Sequence, residues 1–408
     1  MTIPRMRFTF WKAVFLVIMV AGIYCTFIRF FRGLGASTNL SDQFPWGLWI
    51  GFDVMCGVML AAGGFTLTAA VEIFNIKRFH SIIRPTILTA FLGYVLVCAA
   101  LMYDLGLPWN IWHPLIMRNP HSVMFEVAYC VMLYTTVLAL EFSPIVLEHF
   151  KLHRALKIVR SVMVVFVILG VLLSTLHQSS LGTLYLIMPN KLHPFWYSPL
   201  LPVFFFLSAI AVGLAMTIFE SSMSSKYFGR ELELPILRDL GRVLVVVLAL
   251  YGILKFEDFY HRGVLGLVFK PSYEQRFFLL EICLSVLIPL GMLLVPKIRE
   301  SAQGLYLAAV LCLLGFVTNR LNVAITGVES AVGGRYSPKW TEVVITAMFV
   351  ALGFAIFGFA AKYLPIFPQE HQPEARVHLP ALHEPVQGAA HEPDLVVSEL
   401  AVPVHAGD

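Results

Sequence analysis

The chain has 408 residues, 58% of them hydrophobic and only 13% charged, with a formal net charge of +4. Soluble domains carry about 25% charged residues, so a soluble monomer is excluded, and disordered, collagen-like and disulfide-scaffold classes fall with it. A mean hydropathy of +0.79 and 33 Phe describe a polytopic, all-α integral membrane protein, and so small a net charge gives no reason to expect a nucleic-acid partner.

A helix needs about 20 apolar residues to cross a bilayer core of about 30 Å. Taken along the chain, ten stretches qualify: 10–31, 46–74, 84–106, 121–143, 158–178, 199–220, 241–257, 275–296, 303–321 and 341–363. The first is too long, and lacks a small-residue cleavage site, to be a removable signal peptide. The seventh is the weakest, because Arg242 and Lys255 leave only a short apolar run between them. The N-terminal segment and the even-numbered connections hold 16 of the 29 Lys and Arg, against 11 in the odd-numbered connections and helix ends. By the positive-inside rule both termini are then cytoplasmic, in a bacterial inner membrane. Residues 1–364 form the membrane domain. From residue 365 the composition turns acidic and rich in Pro and His, predicting a disordered cytoplasmic tail over 365–408.

Ionisable residues inside a membrane are costly and so are functional candidates. The expected topology puts Asp53, Asp104, Glu126, His177, Glu281 and Arg320 toward the outer face, Glu141 and Glu220 toward the inner face, and Tyr94 between. Snorkelling or capping at helix ends competes for Asp104, Glu141, Glu220 and Arg320; Glu126 and His177 are harder to explain that way. Only His177 among the histidines lies near a helical core, whereas a b-type haem needs two at matched depth. The six cysteines lie in apolar runs without CxxC spacing, so no haem, iron–sulfur cluster or other metal is expected in this chain. The outer connections are rich in Trp, Gly, Ser and His, notably around Trp46, over 106–121 and from His177 to Tyr197. Such surfaces suit a ligand mouth and a docking face.

Four strings, Phe-Pro-Trp-Gly-Leu-Trp-Ile-Gly-Phe-Asp (44–53), Ser-Val-Met-Phe-Glu (122–126), Leu-Glu-Phe-Ser-Pro (140–144) and His-Gln-Ser-Ser-Leu-Gly (177–182), carry a family likeness. In order and spacing the chain, over about residues 10–365, resembles the NrfD/PsrC (polysulfide reductase-like) family of quinone-reactive membrane subunits, in its ten-helix HybB/QrcD branch. The resemblance implies two four-helix bundles plus peripheral helices, and a menaquinone bound near the outer face. It implies a periplasmic ferredoxin-like iron–sulfur partner, and beyond it a molybdopterin-type or hydrogenase catalytic subunit or a multihaem cytochrome c. It also implies proton handling at the matching positions Tyr94, Glu126, His177 and Glu220.

Reducing a quinone takes two electrons and two protons. A histidine titrating near neutrality can donate to a quinone oxygen and be recharged. The expected head-group site is therefore His177 with Asp104 opposite, flanked by Trp46 and Ser180. Glu126 serves as the first relay acid, and Tyr94, Glu141 and Glu220 extend the path inward. Two other readings compete: a secondary transporter, which would favour paired broken helices near the midplane, and a purely structural anchor, which leaves Glu126 and His177 without a role.

Overall fold

The computed structural model describes residues 10–367; no strand occurs among them, and most of the tail expected from residue 365 lies outside the described residues. Ten long helical segments match the ten predicted stretches. They are α1 (Phe10–Arg32), α2 (Trp49–Ile73), α3 (His80–Asp104), α4 (Val123–His149) and α5 (Met163–Leu186). The second half holds α6 (Leu201–Phe228), α7 (Leu234–His261), α8 (Tyr273–Leu294), α9 (Ala302–Val332) and α10 (Trp340–Tyr363). Among the described residues, nine of them are long and apolar enough to cross a membrane; α7 is the exception. Its 28 residues give ample length, but charges at both ends interrupt the apolar run, and two of these, Lys255 and Asp258, are buried within the protein.

Helices α2 to α5 pack as one bundle and α6 to α9 as a second, with α6 also lying against α2 and α5. Helices α1 and α10 pair with each other, and α10 leans on α3. Large apolar side chains such as Phe27, Phe31, Phe354 and Phe359 point outward, as lipid-facing positions should. Lipid gives little hydrophobic drive for helices to associate, so close approach depends on small residues. A Cβ on Gly213 of α6 would lie 2.8 Å from the Gly63 nitrogen of α2, and one on Gly315 of α9 would run into the backbone of Leu284 and Ser285 on α8. These contacts join α2 to α6 and α8 to α9.

Two departures from the sequence reading bear on function. First, α5 does not end at residue 178; it runs to Leu186, so His177 and Ser180 lie well inside it. The polar run that reads as a loop satisfies itself within the helix. The Ser179, Ser180 and Thr183 hydroxyls donate to carbonyls four residues earlier, at 2.7, 2.8 and 3.2 Å, a pattern tolerated in helices. Second, α2 is not one regular helix. It is π-helical over Trp49–Cys56, turns at Ala61-Ala62 near its middle, and is π-helical again over Ala69–Ile73. The first helix of the second bundle, α6, runs unbroken. Further π-helical turns occur at Cys283–Leu287 and Asn322–Thr326.

The connections around residues 74–79, 150–162, 229–233 and 295–301 form a basic end. The opposite, aromatic end carries Trp46, Trp109, Trp112 and Trp196.

Candidate functional site

The first bundle brings two polar stripes face to face. Helix α5 buries Gly170, Ser174, His177, Gln178 and Leu181, while α4 buries Cys130, Tyr134, Leu138 and Glu141; steps of three and four keep each set on one face. At their centre His177 is fully buried. Its Nδ1 lies 2.9 Å from the Leu173 carbonyl, and its Nε2 meets the Tyr94 hydroxyl. A carbonyl only accepts, so Nδ1 carries the proton, and Nε2 accepts from Tyr94. The Tyr94 and Tyr134 rings stand edge to face at 4.7 Å, and Tyr134 lies 5.6 Å from the His177 ring. Gln178 donates to the Val58 carbonyl at 3.1 Å, tying α5 to α2. Around this centre Tyr134 Oη, Ser174 Oγ and Gln178 Oε1 make no well-formed hydrogen bond among the described residues, although Ser174 and Gln178 lie close to the Tyr94 hydroxyl and Ser174 also to that of Tyr134. Buried polar atoms are nearly always satisfied, so this seam is suited to ordered water.

Toward the aromatic end, one turn along α5, the single proton of the Ser180 hydroxyl is shared between Glu126 at 2.6 Å and the Leu176 carbonyl at 2.8 Å. Glu126 is half-buried and sits in the first turn of α4, where the helix dipole favours a carboxylate. Trp46 is half-buried and packs edge-on to Tyr185 at 5.4 Å, whose hydroxyl lies 3.5 Å from Met55 Sδ. Toward the basic end, Glu141 approaches Gly170, where a Cβ would meet its Oε1 at 2.8 Å. Glu220 accepts from Thr89 at 2.7 Å, and its other oxygen is buried and unpartnered among the described residues.

Of the residues proposed from sequence, Glu126, Ser180, His177 and Tyr94 come together as a string through the first bundle, with Trp46 at one end and Glu141 and Glu220 beyond the other. Asp104 is not opposite His177. It lies ten residues along α3 from Tyr94, about 15 Å at 1.5 Å per residue, in a crevice with α1 and α10. There Arg29 caps the end of α3 by donating to the Tyr103 and Leu105 carbonyls at 2.5 and 2.6 Å, and Asp104 Oδ1 has no partner among the described residues. Nearby, Asp53 accepts from Thr346 at 2.9 Å. Tyr336, in the connection before α10, donates to Glu342; burial, and then that carboxylate bond, push its phenol well above the ordinary range. Sequence reasoning passed over Tyr134, Ser174 and Gln178. The signal was available, since Tyr134 and Glu141 are seven apart on α4, and Ser174, His177 and Gln178 share one face of α5.

The second bundle holds a different kind of polar cluster, because its charges are partnered. Glu281 accepts from Trp196 at 2.7 Å, Asn319 at 2.7 Å and Asn322 at 2.8 Å. Arg320 donates to Ser208 at 2.7 Å and lies 3.6 Å over the Phe205 ring. Asp258 accepts from Ser198 and Arg262, at 2.7 and 2.6 Å. Together these hold the connection 193–198 against the bundle.

No group of three or more His, Cys, Asp or Glu able to hold a metal occurs among the described residues. His177 is the one buried histidine among them, and both of its nitrogens are engaged. The described residues therefore do not fit a haem with two histidine ligands.

What the fold and site define is a polytopic all-α membrane protein with a water-suited polar seam through one of two bundles. The chain belongs to the NrfD family, matching the family described as "Polysulphide reductase, NrfD" over residues 36–333. It is 35% identical to the "Probable Ni/Fe-hydrogenase 2 b-type cytochrome subunit" of Escherichia coli, covering 86% of this chain and 90% of that protein. It is 31% identical to the "Menaquinone reductase, integral membrane subunit" of Nitratidesulfovibrio vulgaris, covering 89% of this chain and 93% of that one. The "Hdr-like menaquinol oxidoreductase integral membrane subunit" of Archaeoglobus fulgidus is 22% identical, covering 67% and 68%.

Proposed function

We propose that this chain is the quinone-reactive membrane subunit of a respiratory oxidoreductase complex, exchanging electrons between a periplasmic ferredoxin-like iron–sulfur partner and menaquinone. The observation that carries this reading is a set of two hydrogen-bonded pairs one turn of α5 apart, Glu126–Ser180 and His177–Tyr94, with buried polar atoms beside them. Menaquinone binds at the aromatic end, beside Trp46, Ser180 and Glu126. Two electrons arrive from the partner docked at that end, and two protons reach the quinone oxygens through Glu126. Tyr94 and His177 recharge that acid, drawing on Glu141 and Glu220 and so on the cytoplasm. His177 has no free donor in this arrangement, so it acts on the quinone through Tyr94 and the seam. Beyond the iron–sulfur partner, a molybdopterin-type or hydrogenase subunit, or a multihaem cytochrome c, supplies the electrons. The names of the E. coli and N. vulgaris relatives, one a hydrogenase subunit and one a menaquinone reductase subunit, support the quinone-linked class.

The chain carries no haem in this reading, because the described residues offer no second buried histidine to pair with His177. The test is purification of the intact complex. Menaquinone and an iron–sulfur protein should copurify, quinone reduction should require that protein, and the membrane subunit should add no Soret band. One b-type haem per chain would reject the haem-free site. A chain that purifies with neither quinone nor redox partner would return the transporter or anchor reading.

A further inference from the structure

Two acids lead toward the basic end, Glu141 on α4 of the first bundle and Glu220 on α6 where it packs against the first, and they differ in kind. Glu141 leads toward Glu72, which is exposed. Glu220 instead opens on a cavity of about 50 Å³ lined by Ser81, Ser221, Ser224, Glu233 and Phe367. That volume holds a few water molecules, given about 10–15 Å³ of such space for each. The lining is polar, with Ser81 donating to Glu233. Glu220 is 8% exposed, and its Oε1 is buried with no partner among the described residues. Buried carboxylate oxygens are nearly always satisfied; Oε1 itself is closed to water, so a small shift of the Glu220 side chain is what brings it to the water of the cavity it lines.

One wall of the cavity is formed by the segment that follows α10, through Phe367. Arg84 donates to the Pro365 carbonyl at 3.0 Å, Ile366 is fully buried, and Phe367 lies across the mouth against Phe228, with ring centroids 5.6 Å apart. Three successive residues thus tie the end of the last helix under α3 and α6.

We propose that this serine-lined cavity is the port by which protons enter the protein to reach Glu220, and that the segment 364–367 is its cover. The inference rests on the reading of Glu220 as a relay acid. A proton carried in by water protonates the Glu220 carboxyl at the oxygen not bonded to Thr89, and Thr89, bonded to the other, leads on along α3 toward Tyr94. The mouth is at the basic end, so protons come from the cytoplasm.

The test uses the whole complex with Ser224→Cys, in vesicles treated with a charged, membrane-impermeant thiol reagent. The parent complex, whose six described cysteines are buried or half-buried, gives the background. The introduced thiol should react from the cytoplasmic face only, and severalfold faster when Phe367→Ala removes the cover. Attaching the bulky reagent should cut the turnover-driven membrane potential severalfold relative to the same variant unlabelled. An unreactive thiol at position 224 overturns the port, and a rate unchanged by Phe367→Ala overturns the cover. A potential lost in Glu220→Gln but untouched by the adduct removes the port alone. A potential intact in Glu220→Gln removes the relay, and the port with it.

Discussion

Tyr94 and His177 form the point where the first bundle can least tolerate change. The Tyr94 hydroxyl donates to Nε2, and the opposite nitrogen is fixed by the Leu173 carbonyl, so the imidazole has one tautomer and one orientation. Removing that hydroxyl in Tyr94→Phe leaves Nε2 unpaired in a buried site, at a cost of about 1–3 kcal/mol. The ring itself remains to pack against Tyr134, so the bundle should assemble. What disappears is a proton-carrying group in the middle of the string. General acid–base groups typically contribute a factor of about 10²–10⁴, and Tyr94→Phe should lower quinone turnover per assembled complex by about the lower figure. Turnover close to that of the parent, in a complex of normal composition, would mean that protons pass elsewhere. Ser180→Ala probes the neighbouring link: it frees Glu126 of a 2.6 Å bond without touching His177.

The two bundles use buried polarity in opposite ways, and this decides what each is for. In the second bundle Glu281, Arg320 and Asp258 are partnered by side chains of several elements and fix the connection 193–198. A fully satisfied network of this sort makes a bundle rigid. In the first, buried hydroxyls and amides at Tyr134, Ser174 and Gln178 are left for water. Arg320→Ala should therefore act on stability. It removes a cation stacked 3.6 Å over Phe205 and leaves the buried Asn319 and Ser208 oxygens without their donor, at about 1–3 kcal/mol for each group left unsatisfied. A lower thermal midpoint of the purified complex, with turnover per assembled complex unchanged, is the expected result; lost turnover at unchanged stability would make Arg320 part of the chemistry. At this scale the sequence was legible where apolar length decided the outcome, as for α1, α8 and α10. It misled where polar residues stay helical. The run from His177 to Ser180 looks like a loop because composition cannot reveal hydroxyls bonded back to their own helix. The turn at Ala61-Ala62 had a signal in the Gly63-Gly64 pair that follows it, but an apolar run of spanning length reads through it.

Across the whole molecule, acids occur from one end to the other while the Trp residues, Trp11 apart, gather toward one end. Both facts were readable from sequence, because charge and Trp content follow the chain. The separation of Asp104 from His177 was not, because depth along a helix does not say which neighbour it faces. Asp104 turns toward α1 and α10, and so the proton string and the Asp104 crevice are separate places. The arrangement has an electrical consequence. If protons entered from the aromatic end, beside the quinone, the reaction would move no charge across the membrane. If they come through Glu220 or Glu141 while electrons enter at the aromatic end, each proton adds a charge movement worth about 2.3 kcal/mol per 100 mV. Turnover in sealed proteoliposomes should then build a potential, and an imposed potential of the same sign should slow it. Glu126 is where the string meets the quinone. Glu126→Gln keeps the shape and still accepts from Ser180, but it cannot carry a proton. It should abolish the potential and lower quinone turnover together. Quinone turnover in the parent complex that builds no potential would leave the quinone site standing and remove proton uptake from the basic end.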